Sequence, residues 1–217
     1  MSENYRYLVV DIESKGQHQT LNDMLCFGAC IGNSLTGEIE DEFEVYIRHR
    51  YGADHGWEQR CLDEFWNKEE NKKVKDEMLR RIETEGLYAN DAMKKFYDWI
   101  NNRSPEYLKS LVIITDTAGF DIGFMNHYLS NANLPSMSYI IGNSYKPPRD
   151  SSSFHMGVGL QLPVDGLWEA EKAATKKLGI SLDKNPYSHD HNPKNDAKSL
   201  CWEIMQIHKA ILSLRNS

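Results

Sequence analysis

The amino-acid sequence predicts an α/β fold with a mixed five-stranded sheet, an antiparallel meander followed by parallel strands, flanked by helices. Two observations lead to this prediction. Three strand-like segments joined by turns fill the first 48 residues, as in a meander. Helical and strand-like segments then alternate, which is typical of strands connected by helices. We expect the 217 residues to form one domain, because a chain of this length can bury a proper core.

The three N-terminal segments have the patterns of buried and half-exposed strands. Tyr5–Ile12 and Met24–Ile31 are rich in apolar residues, which predicts two buried strands. Glu38–Ile47 alternates acidic and apolar residues, as expected for an antiparallel strand with one exposed face. Turn residues at 32–37 separate the second and third segments, so the three strands are predicted to pair in chain order.

The middle of the chain is charged and has a mostly helical pattern over residues 49–108. Candidate helices there cover Asp63–Trp66, Glu69–Glu83 and Asn90–Ile100, the last with Asn90 as its predicted N-cap. A strongly apolar strand is predicted next, at Leu111–Thr115.

The second half of the chain continues the alternation of helices and strands. A helix is predicted from about Phe120 to Leu129, and a short strand at Met137–Ile141. Residues 145–153 have the composition of a loop or an irregular sheet edge. A further helix is predicted at Leu167–Leu178, with Gly179 as its C-cap.

The final helix has the clearest start signals in the sequence. Asn192 is a favoured N-cap residue, and Pro193 fits the first helical turn. The apolar stripe that should face the sheet follows helical spacing: Ala197, Leu200, Cys201, Ile204, His208, Ile211 and Leu212.

Two carboxylates end the first predicted strand. Asp11 and Glu13 are two residues apart, and side chains at i and i+2 lie on the same face of a strand. Both can therefore reach one metal ion at the edge of the sheet. Taken alone, the pair is also explained by Asp11 ending the strand and Glu13 opening a loop.

A third carboxylate, Asp121, lies near the start of the helix that follows the apolar strand. It is a candidate metal ligand, but a carboxylate there also stabilises a helix N-terminus through the dipole. Asp116, at the end of the same strand, is a rival ligand.

The start of the final helix carries a histidine and a fourth carboxylate. His191 comes just before the helix and Asp196 lies in its first full turn, so both side chains reach one region. Histidine suits a general base because its pKa lies near physiological pH. His189, in the same loop, is an alternative base.

The three clusters occur at strand ends or helix starts, where side chains from distant parts of a chain meet. Magnesium and manganese prefer oxygen ligands such as carboxylates. Two such ions about 4 Å apart can activate water and neutralise charge during phosphodiester hydrolysis. The sequence therefore predicts an enzyme that cuts phosphodiester bonds with two divalent metal ions.

The overall charge is compatible with this chemistry. The net charge of −7 disfavours a broad nucleic-acid-binding surface. Two bound divalent ions would bring it to −3 and place positive charge at the phosphate. No segment approaches the roughly 20 apolar residues of a membrane span, and the four cysteines form no CxxC pair. We therefore expect no membrane partner, reduced thiols and a cytoplasmic location.

These residues resemble the DEDDh exonucleases, a ribonuclease H-like family that trims nucleic acids from the 3′ end. Asp11-Ile12-Glu13 is similar to the first motif of that family, Phe120-Asp121 with Phe124 to the second, and His191 through Asp196-Ala197 to the third. The resemblance implies a ribonuclease H-like fold and a single-stranded RNA or DNA 3′ end as substrate. It implies that His191 deprotonates the attacking water. It also implies that four residues hold two magnesium or manganese ions: Asp11, Glu13, Asp121 and Asp196.

A narrower resemblance is to a subgroup with a phage exodeoxyribonuclease and a bacterial adenylate-trimming ribonuclease. The segment at 11–16 is similar to the Asp-x-Glu-Thr-x-Gly start of that subgroup, and 63–66 is similar to a paired-tryptophan helix, with Phe replacing one Trp. Arg149-Asp150 is similar to an Arg-Asp step, although Pro147-Pro148 precedes it here.

The resemblance also implies substrate contacts and, because some relatives form dimers, raises a homodimer as an expectation. Trp66 is also explained by core packing, and Arg149 by pairing with a carboxylate. The implied substrate contacts are Ser14, Lys15 and Gly16 beside the terminal sugar, Phe65 and Trp66 against a base, and Arg149 at a phosphate.

Two other functions are compatible with the same residues. One is a phosphodiesterase acting on short oligonucleotides or signalling nucleotides, which chain-length dependence would distinguish. The other is a non-catalytic nucleic-acid-binding protein, which would bind in chelator without forming product. The choice between RNA and DNA depends on one or two contacts to the 2′-hydroxyl and is not predicted.

Overall fold

A computed structural model describes residues 5–49, 56–151, 153 and 175–215 of the protein. Its strands form one six-stranded mixed sheet in the order β4-β3-β2-β1-β5-β6. The first three are an antiparallel meander, and β5 pairs with β1 in parallel. The strands are β1 Arg6–Ser14, β2 Met24–Asn33, β3 Ile39–Arg48, β4 Leu87–Tyr88, β5 Leu111–Thr115 and β6 Arg149–Asp150.

Helices cover both faces of this sheet, which confirms the predicted α/β class. Short 3₁₀ turns at Met137–Tyr139 and Leu182–Lys184 complete the described structure. Among the described residues, no helix is both long and apolar enough to cross a bilayer. The helices are α1 Gln59–Cys61, which continues as a π-helical turn at Leu62–Trp66, α2 Glu69–Glu85, α3 Ala89–Asn101, α4 Pro105–Ser110, α5 Ala118–Asn131 and α6 Pro193–Arg215.

The alternation of side chains along β1 divides the core between the two faces of the sheet. Leu8, Val10 and Ile12 pack on one face in the cluster that contains residues of α3 and α5. Tyr7 and Val9 pack on the other face against α6. Because strand side chains alternate, the odd-numbered carboxylates that follow are directed to the α6 side. The fold therefore fixes the face on which the carboxylate site is built.

The start of α6 is capped as predicted. The Asn192 side chain accepts a hydrogen bond from the Asn195 backbone N–H at 3.1 Å, and Pro193 is the first helical residue. Ala197, Cys201 and Ile204 are buried against the sheet, while Leu200 is only partly buried. All four cysteines are free thiols, as expected.

Three predictions about local structure are wrong. Met137–Ile141 is not a strand: Met137–Tyr139 is a 3₁₀ turn, which the Asn126 side chain holds by accepting the Met137 N–H at 2.8 Å. Among the described residues the sheet has six strands rather than five, because two two-residue strands join its edges, one of them in the segment 145–153 that was predicted as a loop or an irregular sheet edge. Asn90 lies within α3, whose N-cap is Tyr88.

The helix predicted at Leu167–Leu178 falls mostly outside the described residues, which resume at Thr175. Its predicted end is confirmed. Gly179 has a φ of +69°, and the Ile180 N–H bonds to the Thr175 carbonyl at 2.8 Å. A left-handed glycine with this hydrogen bond is a common helix C-cap.

Candidate active site

Three of the four predicted metal-binding carboxylates meet at the end of β1. Asp11 and Glu13 come from β1 and Asp196 from the first turn of α6, and each offers an oxygen within 4.8 Å of the others. An all-oxygen set of this kind fits magnesium or manganese. The residues present therefore fit the divalent ions that the sequence implies.

Gly28 explains why α6 approaches β1 so closely. It lies on β2 directly opposite Asp11 in the antiparallel register. A Cβ at this position would lie 2.2 Å from the Lys194 backbone nitrogen and 2.4 Å from the Pro193 carbonyl carbon. Only glycine lets the first turn of α6 lie against the sheet here. Gly28 is not among the residues predicted from the sequence, although a glycine inside an apolar strand signals close backbone approach.

The loop before α6 fixes the position of Asp196. The Asp190 backbone N–H donates to Asp196 Oδ1 at 2.9 Å, and the Asn195 amide donates to the Asp190 carboxylate. His191 takes a left-handed backbone conformation, with a φ of +59°. The Asn192 amide donates to Glu44 on β3 at 2.9 Å, which ties the loop to the sheet.

Asp121 is held deeper, at the start of α5. Its side chain is buried, with 3% of the residue exposed, and it accepts hydrogen bonds from the Thr115 hydroxyl and the Thr117 N–H. The rival ligand Asp116 is exposed and accepts a hydrogen bond from Ser151 instead. Asp150 on β6 accepts the Ala118 N–H at 3.0 Å and so holds the first turn of α5.

The clustered carboxylates raise one another's pKa. Burial raises the pKa of Asp11 well above its usual value, and the charges of Asp121, Glu13 and Asp196 raise it further. The pKa of Glu13 is also raised well above its usual value, first by burial and then by the charges of Asp196 and Asp121. Burial raises the pKa of Asp121 to about 7, against the Thr115 and Thr117 hydrogen bonds that lower it. Like charges packed this closely favour a cation at their centre.

These shifts predict that the metal-free protein is less stable at higher pH. A carboxyl group whose folded pKa is raised stabilises the fold below its unfolded pKa, and this stability is lost as pH rises through the folded pKa. For Asp121 the loss begins near the unfolded pKa of about 3.9 and is nearly complete above the folded pKa of about 7. In chelator, the urea midpoint should fall between about pH 5.5 and pH 8.5, and saturating magnesium should flatten this dependence. Asp121→Asn should also flatten it; a midpoint that rises with pH in wild type would contradict the prediction.

The two histidines of the loop occupy different positions at the site. His191 Nδ1 lies 3.9 Å from Glu13 Oε1, and its side chain is 30% exposed. His189 Nδ1 lies 3.5 Å from Asp196 Oδ1, and its side chain is 70% exposed. Burial lowers the pKa of His191, which favours the neutral imidazole. Both histidines therefore reach the carboxylates, and His191 is the more enclosed of the two.

A cleft of about 670 Å³ opens beside Glu13 and is called the first cleft here. Phe65 lines it and contacts the His191 ring edge-on, with centroids 4.8 Å apart. Trp66 lies at its wall but is 1% exposed, and its indole N–H donates to the Ser14 carbonyl at 3.0 Å. The π-helical turn thus presents Phe65 to the cleft and uses Trp66 to hold the end of β1. Residues lining the first cleft include Glu13, Ser14, Gly16, Gln17, Arg60, Glu64, Phe65, Trp66, Gly119 and Phe120.

The other predicted substrate contacts divide between this cleft and the rest of the molecule. Ser14 and Gly16 line the cleft, and the Ser14 hydroxyl donates to the Gly16 carbonyl at 2.6 Å. The Lys15 side chain does not reach it: the side chain is 0% exposed, and its Nζ lies 3.2 Å from Asp23. Arg149 is exposed on the edge strand β6 and is not among the residues that line the cleft.

No protein-family model and no curated protein matches the sequence. Solved structures do match. The nuclease domain of 3′hExo, a DEDDh family member bound to rAMP, has a TM-score of 0.63 and 16% identity over 96% of this chain and 94% of that one. Cell-death related nuclease 4 has a TM-score of 0.63 and 9% identity, over 94% of this chain and 63% of that one. E. coli exonuclease I in complex with a dT13 oligonucleotide has a TM-score of 0.60 and 13% identity.

The similar proteins differ in how much of their own length this chain spans. The chain spans 43% of the length of E. coli exonuclease I, but nearly all of the 3′hExo nuclease domain. In each case at least 94% of this chain takes part, so the likeness covers the fold as a whole. The protein has the ribonuclease H-like fold that these nucleases share.

Proposed function

We propose that the protein is a divalent-metal-dependent exonuclease that removes nucleotides from the 3′ end of single-stranded RNA or DNA. The observation that carries the proposal is the convergence of Asp11, Glu13 and Asp196 within 4.8 Å of one another. Buried Asp121 adds its charge to theirs. The DEDDh nuclease domain and the oligonucleotide complex among the similar structures support the same activity.

The roles of the residues follow from their chemistry. Asp11, Glu13, Asp121 and Asp196 would hold two magnesium or manganese ions, which when bound lower the pKa of water and neutralise charge on both oxygens of the displacement. His191 accepts the proton of the attacking water, for which it must be neutral, and its lowered pKa favours that form. The bond between phosphorus and the 3′ oxygen of the preceding nucleotide then breaks, which releases the terminal nucleotide with its 5′ phosphate.

The first cleft is the natural place for the terminal nucleotide. Phe65 and Phe120 line it beside Glu13, and aromatic faces bind bases without strict sequence preference. Ser14 and Gly16 line the same cleft, where the sugar of the terminal nucleotide would lie. We therefore propose Phe65, Ser14 and Gly16 as substrate contacts, with Trp66 as a wall of the cleft. A cytoplasmic location and a homodimer stay predictions.

One gel tests the proposal. Single-stranded RNA and DNA of matched sequence, labelled at the 5′ end, are incubated with magnesium or manganese and sampled over time. We expect a ladder that shortens from the 3′ end and is abolished by chelator. Internal cleavage, degradation from the 5′ end, or product formation in chelator would overturn the proposal.

His191→Ala should lower kcat by about 10²- to 10⁴-fold, the usual contribution of a general base. His189→Ala is the matched control: it lies two residues away and contacts Asp196, but it is far more exposed. We expect His189→Ala to change kcat by less than about tenfold. Single-turnover rates on a labelled oligonucleotide measure both, and magnesium-induced thermal stabilisation reports metal binding. If His189→Ala is the more damaging change, His189 is the base.

A further inference from the structure

Two clefts meet at the carboxylate site. The first cleft contains Glu13 and Phe65. A second cleft of about 380 Å³ lies on the other side of His191, between α2 and the loop that precedes α6. His191 lines this second cleft, contacts Phe65 and lies 3.9 Å from Glu13. The boundary between the clefts is therefore formed by the groups that the proposed function uses. The second cleft is lined by Tyr46, Lys73, Val74, Glu77, Met78, Arg81, Asp190, His191, Asn192, Pro193 and Asn195.

We propose that the second cleft binds the penultimate nucleotide of the substrate strand, and that Lys73 contacts the phosphate on its 5′ side. This inference rests on the proposed exonuclease function. A strand that occupies both clefts crosses their boundary at Glu13 and His191. The phosphodiester between its last two nucleotides then lies beside the carboxylates, which is the bond that a 3′ exonuclease must cut.

The lining of the second cleft has the chemistry of a nucleotide site. Val74 and Met78 contribute apolar surface, and Tyr46, which is buried beneath Arg81, closes the cleft behind them. A base of any identity can pack on apolar surface of this kind. Pockets for small ligands commonly combine an apolar lining with a few polar groups that fix orientation.

Lys73 is the cation of this cleft that is available to a phosphate. Arg81 also lines the cleft, but it pairs with Glu44 and Glu85 and stacks over Tyr46 at 4.1 Å. Lys73 is exposed and forms no ion pair with any other described residue. A lysine in this position acts as a point charge for a phosphate.

The two acidic residues of the cleft do not neutralise Lys73. Glu77 is paired with Arg80, also on α2, with contacts of 2.6 and 2.8 Å. Asp190 accepts hydrogen bonds from the Ser188 hydroxyl, the Asn192 N–H and the Asn195 amide. Both carboxylates are therefore engaged within the protein.

Two substrates distinguish binding in the first cleft alone from binding in both clefts. The p-nitrophenyl ester of thymidine 5′-monophosphate presents one nucleotide, which fills the first cleft and leaves the second without a nucleotide. A 5′-phosphorylated dinucleotide fills both. Lys73→Glu should lower kcat/KM for the dinucleotide about tenfold, the size expected for a charge-assisted contact, and should change the ester by less than about twofold. Lys72→Glu makes the same charge change at the neighbouring exposed position, which does not line the cleft, and should leave both substrates unaffected.

Salt dependence gives a second measurement. For longer single strands, Lys73→Ala should make the slope of log kcat/KM against log salt shallower by about 0.7, which corresponds to one lost phosphate contact. If wild type cleaves both substrates but Lys73→Glu behaves like Lys72→Glu, the second cleft is not a subsite and the exonuclease proposal stands. An equal loss on ester and dinucleotide would also overturn the inference. Failure of wild type to cleave either substrate would overturn the proposed function and this inference together.

Discussion

Replacing Asp11 by Asn should lower the rate of phosphodiester cleavage by at least about 10³-fold. Asp11 lies at the centre of the site, where the charges of Asp121, Glu13 and Asp196 all act on it. Metal ions in such sites contribute several kcal/mol of transition-state stabilisation, and each 1.36 kcal/mol is about a tenfold change in rate. Single-turnover cleavage of a labelled oligonucleotide in magnesium measures the effect.

The same change should not weaken the metal-free fold. Asp11 is buried among like charges that raise its pKa, and asparagine removes that repulsion while keeping nearly the same shape. In chelator at pH 8, thermal unfolding of Asp11→Asn should occur at or above the wild-type temperature, and added magnesium should stabilise it less than wild type. Asp116→Asn removes the exposed rival carboxylate and should cost less than about tenfold in rate. Full magnesium-dependent activity in Asp11→Asn would exclude Asp11 as a ligand.

Replacing Gly28 by Ala should lower the rate about 10²-fold, although Gly28 contacts neither substrate nor metal. Its new Cβ would lie 2.2 Å from the Lys194 backbone nitrogen, and backbone atoms cannot move aside as a flexible side chain can. The first turn of α6 must shift, and Asp196 and His191 shift with it. A misplacement of about 1 Å at a reacting group can cost about 10²-fold. Crowding of this kind also destabilises a core by about 1–3 kcal/mol.

Gly32→Ala is the matched control for this prediction. It lies on the same strand and face, but its Cβ would meet the Cys201 and Met205 side chains rather than helix backbone. We expect Gly32→Ala to lower the free energy of unfolding by a similar amount while leaving the rate within about threefold of wild type. Urea unfolding and single-turnover rates, measured for both variants, separate lost stability from lost geometry. Equal rate losses would show that Gly28 acts only through stability.

The parts of the fold that the sequence predicted are those set by local pattern. The alternation along β1 and the Asn192-Pro193 start of α6 were read from neighbouring residues, and both are confirmed. They suffice to direct Asp11 and Glu13 toward the α6 face. The short edge strands were missed because two residues carry no periodicity.

The site details that were missed depend on contacts between distant segments. Gly28 matters only because α6 lies across it, and α6 follows far later in the sequence. Lys15 follows Glu13 and was assigned to the substrate, yet a bulge between Glu13 and Ser14 and the partner Asp23 bury its side chain instead. Local sequence does not distinguish a lysine whose side chain is exposed to solvent from one whose side chain is buried in an ion pair.

The dependence of the site on α6 has a consequence for the chain during its own synthesis. The cleft residues Phe65 and Ser14 and the carboxylates of β1 and α5 all precede residue 122, whereas Asp196 and His191 are made much later. On the proposed function, a nascent chain whose α6 has not yet docked on Gly28 would have the groups that bind a strand end but would lack two of those that hydrolyse it. Cleavage would then require the completed fold, and a partly made or partly unfolded molecule would not degrade the nucleic acid around it.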